Sequence, residues 1–317
     1  MSKILITGSS GLIGTALCRR LRDDGHDVVP FDIRAPEGQE RDVACYEDVR
    51  QCMEGCEGVV HLAAVSRVMW AERDPDLCWR TNITGTHNLL SCALSMPKQV
   101  KWFLFASSRE VYGNSAGAPP DAPGSTRITA PINVYGRAKV AGEQLVAAAF
   151  GRLCVSVLRF SNVYGSTHDH ADRVIPAFCR AALQMRPLTV EGYDRYFDFT
   201  YLPDVVEAIC LAISKLREGK SLPTVEIVSG TSVSLLALAR LCVQESGRRT
   251  SFIEKGAPRA ADVGAFVGDP TRAQEILGWV HKTDLQHGIV QLLRELEPTM
   301  RGEQQTLPDL PESRRPS

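Results

Sequence analysis

The sequence predicts a doubly wound parallel α/β sheet followed by a smaller C-terminal lobe. Up to about residue 165, short β-branched apolar runs alternate with amphipathic stretches; beyond Gly165 the pattern becomes less regular. Such βαβα alternation implies parallel strands covered by helices on both faces. The 317 residues, 44% hydrophobic and 23% charged, have ordinary globular composition and can bury a sizeable core.

The first run is Lys3–Thr7, entered directly from Met1-Ser2; this opening reads as a strand and lacks the layout of a signal peptide, so a cytoplasmic location is expected. Asp27–Phe31, Val59–Ala63, Lys101–Ser107 and Cys154–Phe160 are the further strands, with helical patterns over Leu12–Arg22, Trp79–Ala93 and Tyr135–Phe150 between them. Ser115–Pro131 turns to Pro, Gly, Ala and Ser, a loop leading to the Tyr135 helix. Val174–Met185 and Pro203–Leu216 read as helices, and Leu188–Val190 and Phe199–Tyr201 as short strands. Residues 1–165 are thus expected to form the sheet domain, with later segments returning to it, and 166–300 mainly the lobe. Residues 301–317 are polar and rich in Pro, Glu and Arg, which predicts a disordered tail.

A formal net charge of −1 gives no electrostatic reason to expect nucleic acid or an anionic membrane as partner. No apolar run approaches the ~20 residues that span a bilayer. The ten cysteines are scattered, and Cys45, Cys52 and Cys56 fall in what reads as one helix. Paired C-x-x-C halves are lacking, so no metal site is expected and the thiols read as reduced and structural.

Gly8-Ser9-Ser10-Gly11-Leu12-Ile13-Gly14 follows the first strand and opens a helix. In such a turn Gly8 permits the tight bend, Gly11 lets backbone approach a pyrophosphate, and Gly14 lets the helix pack close to the sheet. Free N–H groups at the helix start favour the phosphates. The next strand ends at Asp32, 18 residues past Gly14, where a carboxylate accepts hydrogen bonds from the adenosine ribose. That acid repels a 2′-phosphate and favours NAD over NADP, although Arg34 close by is a group that could receive such a phosphate.

Tyr135 and Lys139 stand four apart near the start of a helix and project from one face. A phenol is a poor base at pH 7. A neighbouring ammonium and a positive nicotinamide ring would favour phenolate and bring its pKa toward the working range. Tyr135 could then take a proton from a substrate hydroxyl as hydride leaves carbon. At the end of the preceding strand stand Ser107 and Ser108, where open α/β sheets bind ligands and a hydroxyl can hold the reacting oxygen.

With these residues in place the chain resembles the extended short-chain dehydrogenase/reductase family, in its NAD-dependent nucleotide-sugar epimerase/dehydratase branch. The resemblance runs from Lys3 to about Trp279. It includes the glycine loop, Asp42-Val43, His61-Leu62-Ala63-Ala64, Asn82 in Thr81–Thr86, Ser107-Ser108, Val111-Tyr112-Gly113 and the Tyr135/Lys139 pair. Arg159–Gly165, Asp198–Tyr201, Asp204 and Leu277-Gly278-Trp279 complete it. It implies a Rossmann-type sheet with a substrate-binding lobe. It also implies NAD held by Gly8, Gly11, Leu12, Ile13, Gly14, Asp32, Ile33, Asp42, Val43, Leu62, Ala63, Ala64, Asn82, Ser107, Tyr135, Lys139 and Ser161. Ser108 becomes the catalytic hydroxyl, Tyr135 the base and Lys139 the ribose contact. Ser66, Ser108, Asn162, Val174, Thr189 and Arg259 become contacts to a nucleoside-diphosphate sugar. A homodimer through the Tyr135 helix and the Trp79–Ala93 helix is implied as well.

Two positions depart from the family pattern. The Arg expected before Asp198-Phe199 as a phosphate clamp is Phe197, with Arg195 two residues earlier as its candidate replacement. The Asp-Glu pair of dehydratases is Arg109-Glu110, and an arginine cannot serve as general acid. Glu110 stands as a second catalytic candidate, with a salt-bridged carboxylate as its plainer reading. C4 epimerisation through a 4-keto sugar is the leading expectation. A uronate decarboxylase or atypical dehydratase using Glu110 is the alternative, and a non-catalytic NAD sensor a third possibility.

Overall fold

The structure, a computed structural model, describes residues 2–117, 127–248, 252–257 and 263–305. The chain begins β1 (Lys3–Thr7), α1 (Leu12–Asp23), β2 (Asp27–Phe31), α2 (Tyr46–Met53), β3 (Gly58–His61), α3 (Val68–Arg73) and α4 (Pro75–Trp79). A wide π-type turn, Arg80–Thr84, then leads into α5 (Gly85–Ser95). Next come β4 (Trp102–Ser108), a tight helical stretch over Arg109–Gly117, α6 (Val134–Ala148), β5 (Cys154–Phe160) and β6 (Asn162–Tyr164). The remainder is α7 (Val174–Leu183), β7 (Leu188–Glu191), β8 (Tyr196–Tyr201), α8 (Leu202–Arg217), β9 (Val225–Ile227), β10 (Ser232–Ser234), α9 (Leu235–Glu245), β11 (Ile253–Gly256), α10 (Thr271–Leu277) and α11 (Leu285–Gln305).

The main sheet has the order β2-β1-β3-β4-β5-β9, and every pair in it is parallel. Its central strands are apolar on both faces, as a sheet covered on both sides requires. Pro30, which cannot donate to a ladder, lies in the edge strand β2. On one face Leu17 and Leu21 of α1 meet Val205, Ile209 and Ile213 of α8 over Ile4, Ile6 and Leu104. On the other, Val49 of α2, Leu89 of α5 and Val146 of α6 pack over Leu5, Val59 and Phe103.

The lobe is built from a three-stranded sheet, β10-β8-β6, and a parallel pair, β11-β7. Ile175 and Phe178 of α7, Leu238 of α9, and Ile289 and Leu292 of α11 close its core. Strand β9 adds itself to the main sheet from within the later half of the chain. Trp279, buried at 1% exposure, donates its indole N–H to the Asp204 carbonyl (2.9 Å), while the Asp204 carboxylate accepts from the Lys282 and Thr283 backbone. That signature therefore ties the C-terminal segment to α8.

The single helix expected over Trp79–Ala93 is two helices joined by the π-type turn, which carries Asn82 inward. Such wide turns recur where a helix must redirect a side chain. Of the three close cysteines only Cys52 lies in α2; Cys45 caps it and Cys56 follows it. All ten cysteines are free thiols. The tail expected from residue 301 is helical as far as Gln305, because α11 anchors Leu296 and Met300 in the lobe core; residues 306–317 lie outside those described. Among the described residues no helix is long and apolar enough to cross a membrane.

Candidate active site

A cavity of about 780 Å³ runs from the glycine turn, along the carboxyl ends of β1, β3 and β4, to the face of the lobe. Open α/β sheets place ligands at this edge. Gly8 has φ +71°, and a Cβ there would lie 2.7 Å from the Ala63 nitrogen. A Cβ on Gly14 would sit 2.1 Å from the Gly8 carbonyl oxygen. The turn is thus a seat in which α1 starts directly against β1. Gly11 occupies the cap position with no side chain, leaving the first N–H groups of α1 uncapped beside Leu12 and Ile13 in the cavity wall.

Asp32 directly follows β2 at 6% exposure; its carboxylate accepts from the Ser10 and Arg34 backbone N–H groups, each at 2.9 Å. The Arg34 guanidinium stands 3.5 Å from the same carboxylate, so it is partly engaged there. Farther along, Asp42 pairs with Arg80 at 2.7 Å, and Ile33 and Val43 add apolar wall. A cradle closed to any Cβ, an uncapped helix start and a buried acid at the second strand end are a donor set that fits a dinucleotide.

The loop Leu62–Val65 floors the cavity, and a directional chain of hydrogen bonds holds it. Ala63 N–H donates to Thr7 Oγ1, which bonds His61 Nδ1 at 2.7 Å; His61 Nε2 bonds Thr86 Oγ1 at 2.9 Å, and Thr86 donates to the Asn82 carbonyl. Because Thr86 uses its proton on Asn82, His61 must donate from Nε2 and accept at Nδ1. Burial, with Lys139 nearby, pushes the imidazole down to about 3, keeping it neutral. The Asn82 side chain clasps Val65 through both its N–H and its carbonyl. Asn82 therefore does not line the cavity, as the cofactor contact expected of it would require; it braces the wall from behind.

Ser108, Tyr135 and Lys139 converge on the cavity from β4 and α6. Asn133 caps α6, its side chain accepting from Gly136 N–H at 2.7 Å, which fixes the face carrying the pair. The Ser108 hydroxyl accepts from the Glu110 N–H at 3.2 Å and stands beside the Tyr135 phenol on the cavity wall. Burial is the largest influence on that phenol and pushes it up; the neighbouring Ser108 hydroxyl opposes this and the Glu110 charge adds to it. The expected lowering by Lys139 is not what the protein alone provides. Lys139 donates to the Ala106 carbonyl at 2.7 Å and, fully desolvated, is itself pushed down to about 8.

A lysine depressed from 10.5 to about 8 binds fewer protons folded than unfolded between those values. Stability therefore rises with pH across that window, and below about pH 8 the cost of the buried charge is fully present. Lys139→Met is expected to raise the melting temperature at pH 7 and to flatten this rise; denaturation scans across the window check both.

Glu110 lines the cavity at 5% exposure with both oxygens engaged: Oε1 by Arg109 (2.9 Å) and Oε2 by the Asn133 amide (2.8 Å). The plainer reading of this carboxylate is the one its geometry supports. Ser107 and Ser161 also line the cavity; Ser107 donates to Glu143, and Ser161 bonds Thr200 at 2.7 Å. Glu143 in turn holds Arg159 in a two-point pair (2.8 and 2.6 Å), and Arg159 reaches the Tyr112 hydroxyl at 2.9 Å. Sequence reasoning missed Glu143, although it falls on the Tyr135 face one turn past Lys139.

On the lobe side Ser66, Asn162, Val174 and Thr189 reach the cavity. Arg195, the candidate to replace a clamp at Phe197, does not line it, and Arg259 lies outside the described residues. Above the opening, Arg67 pairs with Asp172 (2.6 Å) and Trp70 packs edge-on against His170 at 4.9 Å.

Comparison with known proteins agrees with this geometry. Residues 4–227 match the NAD dependent epimerase/dehydratase family. A UDP-glucose 4-epimerase of Rhizobium leguminosarum bv. trifolii is 28% identical, covering 89% of this chain and 93% of its own. Among solved structures, MoeE5 in complex with UDP-glucose and NAD is 30% identical, with a TM-score of 0.83 over 94% of this chain and 99% of its own. UDP-glucose 4-epimerase from Thermotoga maritima, solved with UDP-glucose, is 28% identical with a TM-score of 0.85 over the same shares.

Proposed function

Since the chain belongs to the NAD-dependent epimerase/dehydratase family, we propose that it interconverts nucleoside-diphosphate hexoses at C4, with NAD as resident cofactor. The observation that carries this reading is the convergence of Ser108, Tyr135 and Lys139 on one wall of the cavity that the glycine turn opens. The relatives' UDP-sugar ligands and substrates support a UDP-hexose.

Gly8, Gly11 and Gly14 with the start of α1 would hold the pyrophosphate, Asp32 the adenosine ribose, and Lys139 the nicotinamide ribose. Bound NAD supplies the hydride acceptor and donor, and its positive ring favours the phenolate that burial alone disfavours. Tyr135 then takes the C4 hydroxyl proton, and Ser108 holds the same oxygen as it becomes a carbonyl. When the keto-sugar presents its other face, Tyr135 returns the proton. Glu110 is a salt-bridged carboxylate, one oxygen on Arg109 and the other on the Asn133 amide, and this engagement ranks the lyase readings second. We further infer a cytoplasmic homodimer joined through α5 and α6.

The test incubates the purified protein with UDP-glucose and follows UDP-galactose by NMR. Interconversion without net NADH release is expected. If UDP-, dTDP-, GDP- and CDP-hexoses and UDP-glucuronate all stay unchanged, the reading falls; stoichiometric NADH would indicate a plain dehydrogenase.

A further inference from the structure

We propose that Arg109 is the cation that grips the sugar-linked phosphate of the substrate, a task the resemblance places at position 197. This rests on the nucleotide-sugar reading above. Arg109 follows Ser108 directly, lines the cavity, and has only 12% of its side chain exposed. Its guanidinium lies between two rings, with Cζ 4.6 Å from the centre of Phe197 and 5.8 Å from that of Phe266. Its Nη2 pairs with Glu110, its Nε donates to Asn162 Oδ1 at 3.3 Å, and its Nη1 is buried with no hydrogen-bond partner.

A buried guanidinium nitrogen without an acceptor is an uncommon arrangement. In a group that lines a cavity it points to an acceptor brought by a ligand. Arginine presents five N–H groups in a rigid fork suited to phosphate oxygens. The two rings fix that fork without competing for its donors. The other lobe-side guanidiniums that line the cavity are each answered by a carboxylate, Arg67 by Asp172 and Arg173 by Asp169, and neither is left with an unpartnered buried nitrogen; Arg127, which packs on the same Phe266 ring and also has unpartnered buried nitrogens, does not line the cavity.

Position identifies the anion. Ser108 and Tyr135 mark the reacting hydroxyl, and Val174 and Thr189 mark the lobe end of the cavity. Arg109 stands between them: it leaves the chain next to Ser108 and ends against Phe197, which packs in the lobe core with Leu188 and Val190 on either side of Thr189. A nucleotide sugar lying with its sugar at Tyr135 and its base at the lobe passes its diphosphate over this point. The two departures from the family pattern are then one change: the cation has moved from β8 to the end of β4, and an aromatic ring fills the position it left.

The test titrates UDP and UMP calorimetrically into the NAD-loaded protein as wild type, Arg109→Met and Arg109→Met/Glu110→Gln. The double variant removes both partner charges and carries the test should the single variant not fold. UDP binding is expected to weaken at least about tenfold in both variants, as for a lost hydrogen bond to a charged group, while UMP, which lacks the second phosphate, changes little. Equal losses for UDP and UMP would assign Arg109 a packing role and overturn the proposal. So would unchanged UDP binding. Wild-type protein that binds neither nucleotide would instead overturn the nucleotide-sugar reading, a result visible before any variant is made.

Discussion

Tyr135→Phe is expected to lower kcat by about 10²- to 10⁴-fold, the contribution typical of a positioned acid–base group, while leaving bound NAD in place. The substitution removes one oxygen and keeps the ring that packs with Val134 and Ala138, so the α6 face should survive. The cofactor cradle is made elsewhere, by the glycine turn and Asp32, and does not use the phenol. The loss falls on kcat rather than on substrate affinity because the proton moves only as the transition state forms. Steady-state rates with UDP-glucose, beside the NAD content of the purified variant, check both halves. A variant that turns over near the wild-type rate would remove Tyr135 from the chemistry and require another base for the C4 hydroxyl.

The phenol also marks where sequence reasoning stops. Its spacing from Lys139 placed both on one helix face, and both do line the cavity. The direction of its acidity was not legible, because burial is set by elements far apart in the chain, and here it is the largest influence on the phenol. Strands were legible because period and flanking turns are local: Asp27–Phe31 and Cys154–Phe160 match their runs residue for residue. Asn82 belongs to a recognisable motif, yet its side chain serves Val65 from behind the wall, a difference only the fold can show. Arg195 was the nearest arginine in sequence to Phe197, whereas Arg109 is the one against it in space, 88 positions away. The amphipathic α11 was not read as an element of the lobe, although Ile289, Leu292 and Leu296 recur at helical spacing and are buried; only its last residues fall in the segment expected as a tail.

The second large effect is expected from a single methyl group. Gly14→Ala puts a Cβ 2.1 Å from the Gly8 carbonyl oxygen and 2.8 Å from the Ser9 Cα. Both are backbone atoms, so relief requires α1 to lift from the turn rather than a side chain to swing aside. Gly8 itself cannot retreat, since its N–H is bound to the Phe31 carbonyl at 2.8 Å and its own Cα face abuts Ala63. Overpacking of this kind costs about 1–3 kcal/mol of stability, and the same displacement carries the uncapped N–H groups of α1 away from the pyrophosphate position. A lowered melting temperature together with NAD affinity at least tenfold weaker is therefore expected, in proportion to a lost charge-assisted contact. Gly264→Ala is the matched control: its Cβ would meet nothing within 4 Å and its φ is not in the left-handed range, so both quantities should stay at wild-type values. Fluorescence titration with NAD and thermal melts of the two variants separate the cases. If Gly14→Ala bound NAD as tightly as the control, the start of α1 would not be what holds the phosphates, and the cofactor would have to be seated elsewhere along the cavity.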